Sequence, residues 1–227
     1  MNGQYRPFYG WSTVSMVKDN TIGFVEKLIK TDPILSSYFA ALPTDSYHVT
    51  VCNIWCNGCP LLNHQKKFLL SKYPRAEAIK LAKKASEIEF FNPDGCINEL
   101  LDKMSDVIKQ CDTELIVENV YFSGSTLGIS FSESSNTTNL DKCRDDSLNI
   151  AELGREYIVP YHLTLAYNYR CVNICEVTPI IEKLNFMLRG RVIKLECPMV
   201  SYFSDMTKFI PYSLAKHLNS ERKHVPF

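Results

Sequence analysis

Tyr47-His48-Val49-Thr50-Val51 and Tyr161-His162-Leu163-Thr164-Leu165 are near copies of each other, set far apart in the chain. Each runs Tyr, His, aliphatic, Thr, aliphatic. Strict alternation with aromatic and β-branched members predicts a half-buried strand. On a strand, side chains two apart share a face and lie roughly 7 Å apart along the chain. Tyr47, Val49 and Val51 are therefore expected to face a core, with His48 and Thr50 on the solvent-facing side; the second copy repeats this. Each polar face then offers an imidazole, able to give or take a proton near neutral pH, beside a hydroxyl donor. Two such strands side by side would hold a phosphate between them. A single His-x-Thr is commonplace, but only five histidines exist here and two occupy these matched contexts. His64, His217 and His224 lie in polar surroundings and read as surface residues.

The 227 residues suffice for a substantial core, and lysines and arginines balance the acidic residues to a net charge of zero. Grip on a long nucleic-acid backbone calls for a basic excess, so a nucleic-acid-related substrate is expected to be a small nucleotide or a short end. No apolar run reaches the about 18 residues of a spanning helix, and Met1 to Trp11 has no run of the signal-peptide type. The expectation is a cytoplasmic monomer with no membrane partner. Nine cysteines, odd in number and scattered, read as reduced thiols. Cys56-Asn57-Gly58-Cys59, with Cys52 and His64 nearby, has zinc-ribbon spacing but lacks a second Cys-x-x-Cys pair. Cys171 and Cys175 have no matching His. No metal and no cofactor is expected: Gly-rich phosphate or dinucleotide loops are missing from the sequence, and acidic residues do not cluster into a two-metal site.

Along the chain, Trp11 to Val17 reads as a strand and Thr21 to Lys30 as a helix with Phe24, Leu28 and Ile29 on one face. Asp32-Pro33 breaks that helix and starts a short one reaching Phe39. After the first His strand come two amphipathic stretches, Arg75 to Phe91 and Cys96 to Cys111. The second carries Ile97, Leu100, Leu101, Met104, Val107 and Ile108 at helical spacing. Glu114 to Phe122 and Thr126 to Phe131 form a hairpin around Ser123-Gly124-Ser125. Ser132 to Asn139, rich in Ser, Asn and Thr, reads as a flexible loop or lobe linker, and a helix from Asp146 to Tyr157 precedes the second His strand. Thr178 and Pro179 predict a helix start and Gly190 its end, with Ile181, Leu184 and Leu188 inward. Arg191 to Cys197 and Met199 to Ser204 are closing strands. The class is α+β, one domain over residues 1–227, with a His strand in each of two halves.

Transphosphorylation of a ribose-linked phosphodiester needs a base, an acid and donors to the non-bridging oxygens. Two histidines supply the first two without a metal. Two threonine hydroxyls supply the third as negative charge builds. His48 and His162 are the candidate catalytic pair, with Thr50 and Thr164 as substrate-binding partners.

Paired His-x-Thr motifs on two strands resemble the two-histidine (2H) phosphoesterase superfamily, which includes LigT-type RNA end-processing enzymes and 2′,5′-phosphodiesterases. Phe39-Ala40-Ala41-Leu42-Pro43 before the first motif, and Phe203-Ser204-Asp205-Met206 with Phe209 and Pro211 near the end, look like one subfamily of it. The resemblance implies two pseudo-symmetric lobes of antiparallel sheet with outer helices and a central cleft, and carries catalytic roles to His48, Thr50, His162 and Thr164. It also implies a substrate class. Such enzymes cleave 2′,5′-oligoadenylates and cyclic dinucleotides such as 2′,3′-cGAMP, several as viral antagonists of host nucleotide-messenger immunity; the Asn-, Cys-, Ile- and Tyr-rich composition is similar to that of large DNA viruses. Opening of 2′,3′-cyclic phosphates at RNA ends is the alternative within the class. A non-catalytic nucleotide-binding protein, or a zinc-stabilised interaction module, is the alternative outside it. Tyr9, Trp11, Tyr202 and Phe203 fall near predicted strand ends, where they would stack on bases; the competing reading of such aromatics is as core.

Overall fold

The computed structural model describes residues 10–18, 20–56, 70, 74–76, 96–108, 112–150 and 159–215. Most of the amphipathic stretch at 75–91, together with Tyr9, Cys59, His64, Cys111, His217 and His224, lies outside them. Among the described residues, nine strands make one antiparallel sheet: β1 (Gly10–Met16), β2 (Phe39–Ala41), β3 (His48–Cys56), β4 (Thr113–Phe122), β5 (Thr126–Phe131), β6 (His162–Asn168), β7 (Val192–Leu195), β8 (Met199–Asp205) and β9 (Lys208–Pro211). Their order is β7-β4-β5-β6-β3-β1-β8-β9, with β2 also paired to β6. The sheet is curled into a half-barrel and the class is α+β.

Five helices accompany it among the described residues: α1 (Gly23–Thr31), α2 (Pro33–Tyr38), α3 (Cys96–Val107), α4 (Thr138–Ile150) and α5 (Ile174–Leu188). α1 stops at Asp32, whose carboxylate accepts from the Ile34 and Leu35 amides and so starts α2 with Pro33 in its first turn. Val25, Ile29 and Leu35 from this pair, and Val177, Leu184 and Leu188 from α5, pack on Tyr47, Val49, Leu163, Leu165, Leu127 and Ile129 of the sheet side. Burying each such side chain is worth roughly 1.5–3 kcal/mol. The helices thus take the apolar face of both His strands, which fixes which way the histidines point.

Two helices depart from the sequence expectation. α4 begins at Thr138, eight residues before the expected Asp146. Its buried positions are Leu140, Cys143, Arg144, Ser147 and Leu148, a helical stripe whose middle holds Arg and Ser and so does not read as apolar. The preceding loop is tied down: Ser135 is buried, and its hydroxyl accepts from the Ile116 amide at 2.9 Å. α5 begins at Ile174, capped by the Asn173 side chain accepting from the Cys175 amide, so Pro179 sits inside it rather than at its start. Gly190 follows the last turn at φ +78°, a left-handed conformation that suits glycine. Strands β2, where a helix reaching Phe39 is expected, and β9 have no counterpart in the sequence expectation.

Candidate functional site

β3 and β6 meet through one bridge, Val49 opposite Leu163. Antiparallel pairing about that point sets His48 across from Thr164, and Thr50 across from His162. Directly opposed residues have Cβ atoms about 5 Å apart, and diagonal neighbours lie about 7–8 Å apart. Val49 and Leu163 are fully buried in the helix-covered core, so all four motif side chains share the other face. Two imidazoles then lie on one diagonal and two hydroxyls on the other, at a spacing suited to a phosphate group.

The two imidazoles are held in the same way. His48 Nδ1 lies 2.8 Å from the Ser46 carbonyl, and His162 Nδ1 lies 3.0 Å from the Pro160 carbonyl. A carbonyl can only accept, so each Nδ1 carries a hydrogen and each Nε2 is left for chemistry. In both cases the acceptor is two residues upstream, but different devices fix it. Before His48, the turn Thr44–Ser46 is pinned by Glu26 of α1, whose carboxylate accepts from the Thr44 amide at 2.7 Å and its hydroxyl at 2.6 Å. Before His162, the Tyr161 hydroxyl donates to Asp141 at 3.0 Å, and the Arg144 guanidinium lies 3.8 Å from the Tyr161 ring centroid. Arg144 also donates from Nε to the Val51 carbonyl at 2.8 Å, so α4 reaches both His strands.

The environments of the two rings differ. His162 is half-buried, whereas His48 is only 6% exposed. That corrects the expectation that both sit on an open, solvent-facing side. Burial pulls the His48 imidazole from 6.5 down to about 4; the Ser46 hydrogen bond opposes this, and charge on His162 adds to it. His48 is therefore neutral across the physiological range.

Further side chains reach this face. Gly128 of β5 lies opposite Thr164 on one side and Tyr121 on the other. A Cβ at Gly128 would come within 3.1 Å of the Tyr121 hydroxyl and of the Leu163 carbonyl, so the glycine leaves room for the phenol. Tyr167 belongs to β6, three residues after Thr164, where alternation alone would put it on the far side. A register shift, with Gly128 opposite Thr164 but Leu127 opposite Ala166, turns it back. Burial raises the Tyr167 phenol's pKa and a side-chain hydrogen bond with Thr164 opposes the rise. Tyr121 and Tyr167 thus flank Thr164.

The aromatic candidates fare differently. Trp11 and Tyr202 are each 4% exposed; Trp11 meets Tyr202 and Tyr212 edge to face, with centroids 5.3 and 5.7 Å apart. Phe203 is also buried, behind Phe209 at 5.8 Å. Trp11 and Tyr202 face each other on one side of the sheet and Phe203 lies on the other, against Phe209; all three are buried in side-chain packing and none presents an open ring to a base. Tyr9 lies outside the described residues. Of the zinc candidates, Cys52 is buried with its thiol pushed up to about 12 by that burial, the Arg144 charge opposing and Cys143 adding. Cys59 and His64 lie outside the described residues, and Cys171 and Cys175 are exposed thiols.

No family model matches the sequence. Over 59 residues the chain is 39% identical to "Uncharacterized protein 127L" of Invertebrate iridescent virus 6. That stretch is 24% of this chain and 25% of the viral protein, so the match spans about a quarter of the relative's length. In three dimensions the chain is similar to ATU0111, a conserved protein of unknown function from Agrobacterium tumefaciens strain C58. The TM-score is 0.62, covering 94% of this chain and 88% of that one at 17% sequence identity. The likeness is one of architecture, and it extends over nearly the whole chain.

Proposed function

We propose that the chain is a metal-independent phosphodiesterase of the two-histidine type, acting on a small 2′,5′-linked nucleotide. The observation that carries this is the Val49–Leu163 bridge, which sets His48, Thr50, His162 and Thr164 on one face with both Nε2 atoms released by their Nδ1–carbonyl bonds. In this reading the strands on either side of that bridge, β7-β4-β5-β6 and β3-β1-β8-β9, are the two lobes of the 2H fold.

His48, kept neutral, is the base. Its Nε2 takes the proton from the ribose 3′ hydroxyl, the freed oxygen attacks the neighbouring phosphorus, and the bond from phosphorus to the 5′ oxygen breaks. His162, protonated on Nε2, gives its proton to the leaving 5′ oxygen. Thr50 and Thr164 donate to the non-bridging oxygens as charge builds on them. The products are a 2′,3′-cyclic phosphate and a 5′ hydroxyl; water then opens the ring with the histidine roles exchanged. The likeness to an iridescent-virus protein supports a viral setting, in which the substrate is a host nucleotide messenger.

The test is incubation with 2′–5′ and 3′–5′ dinucleotides, cyclic dinucleotides and 2′,3′-cyclic phosphates in excess chelator, followed by chromatography. Cleavage of 2′–5′ linkages in chelator is expected, with a 3′-O-methyl analogue bound but intact. Turnover confined to 2′,3′-cyclic ends would move the substrate to RNA ends. Turnover that appears only with added zinc or manganese would overturn the mechanism.

A further inference from the structure

The two motif histidines share a face but not an environment, and a ring contact made by one of them sets them apart. Phe209 of β9 lies against the His48 imidazole, ring centroids 4.1 Å apart and planes tilted by 51°. Phe203 of β8 packs against Phe209, ring centroids 5.8 Å apart. β9 also packs on the Thr44–Ser46 turn, whose last carbonyl holds His48 Nδ1. One short strand therefore covers the ring that the adjoining turn orients. Among the described residues, no aromatic ring lies on His162. The titratable and charged groups around His48 are His162 across the bridge, exposed Asp45 in the turn, exposed Lys208 next to Phe209, and Asp205, half-buried and bonded to Thr207.

We infer that Phe209 is a positioning residue for His48: its ring seals the imidazole from water, so that Nε2 stays unprotonated and ready to accept, while His162 keeps contact with solvent. Two near-identical motifs thereby acquire opposite roles. The asymmetry comes from β9 rather than from the motifs, which explains why Tyr-His-aliphatic-Thr-aliphatic twice does not reveal it. Desolvation is the largest cause of the low His48 value, and the Phe209 ring lies at contact distance from the imidazole. A leucine would preserve most of the apolar cover; an alanine would admit water.

This inference rests on the two-histidine reading for its catalytic meaning, but its physical content can be measured without any substrate. The experiment is a pH titration of the histidine ring nitrogens and carbon-bound protons by NMR in the parent, Phe209→Ala and Phe209→Leu, with His162 as internal control. In the parent, His48 is expected to titrate near about 4 with hydrogen on Nδ1. In F209A its midpoint should climb by at least about one unit toward the free value, and in F209L by less. The acid limb of kcat/KM should move to higher pH in parallel. A merely structural Phe209 would lower the melting temperature of both variants and leave the midpoint in place. An unshifted His48 midpoint in both folded variants overturns the inference. If the midpoint moves but the parent cleaves no nucleotide, the role of Phe209 stands and the phosphodiesterase reading falls.

Discussion

His48 carries a cost at acid pH that follows from its burial. In the unfolded chain a histidine titrates near 6.5, and in the fold His48 titrates at about 4. Between those values the unfolded chain binds a proton that the folded protein does not, so stability falls as pH drops through this window and is fully present above it. The span corresponds to about 3 kcal/mol. His48→Asn, whose amide nitrogen replaces Nδ1 toward Ser46, should show a flatter dependence between pH 7 and pH 4.5 in urea unfolding. An acid loss equal to the parent's would contradict the burial account. At this scale the four motif residues were legible because strand alternation has a period of two and both copies obey it. Tyr167 was not legible, because the register shift between Thr164 and Ala166 breaks the parity that a reader relies on. Phe209 stands out only as part of the tail resemblance; its place over His48 is not legible, because it depends on β9 folding back over a turn far away in sequence. Position near a strand end suggests Trp11 and Tyr202 as stacking platforms, but it says nothing of the side chains packed over them, which bury both.

Among the elements, α4 joins the two His strands. Arg144 donates to the Val51 carbonyl, next to the point where the β1–β3 register shifts, and its guanidinium covers Tyr161. Arg144→Met keeps the stem but loses the charged donor and leaves a buried carbonyl unpaired. A loss of about 2–3 kcal/mol is expected from urea unfolding; a change under about 0.5 kcal/mol would show that α4 does not secure β3 through this bond. Arg144→Lys should not rescue it, because an ammonium cannot reproduce the planar fork that both donates and stacks. The same arginine hid the helix from sequence reading: an inward stripe containing Arg144 and Ser147 looks like a solvated surface. α5 was hidden in part by Pro179, which reads as a first-turn residue but lies in the second turn, after Asn173 has already capped the helix. The hairpin at Ser123–Thr126 and the Asp32-Pro33 junction are legible in the sequence, since their turn and capping chemistry is local.

On the scale of the whole molecule, a curled sheet lets strands distant in its order approach one another. β9 stands at one end of the sheet and His48 near its middle, yet their rings touch. The α+β class was accessible from the sequence because strand and helix periods alternate along the chain; the single curled sheet was not, because curvature is a sum of twists that no one segment encodes. The fold likeness to the Agrobacterium protein covers almost the entire chain, so the architecture recurs at an identity of only 17%. The central claim is that His48 and His162 act as one acid–base pair across the β3–β6 bridge. Its most direct test is turnover of a 2′,5′-linked dinucleotide in chelator by the parent, His48→Ala and His162→Ala, with circular dichroism to verify that each variant is folded. The account predicts cleavage by the parent and a loss of at least about 100-fold in each variant. Turnover within about threefold of the parent in either folded variant would contradict it.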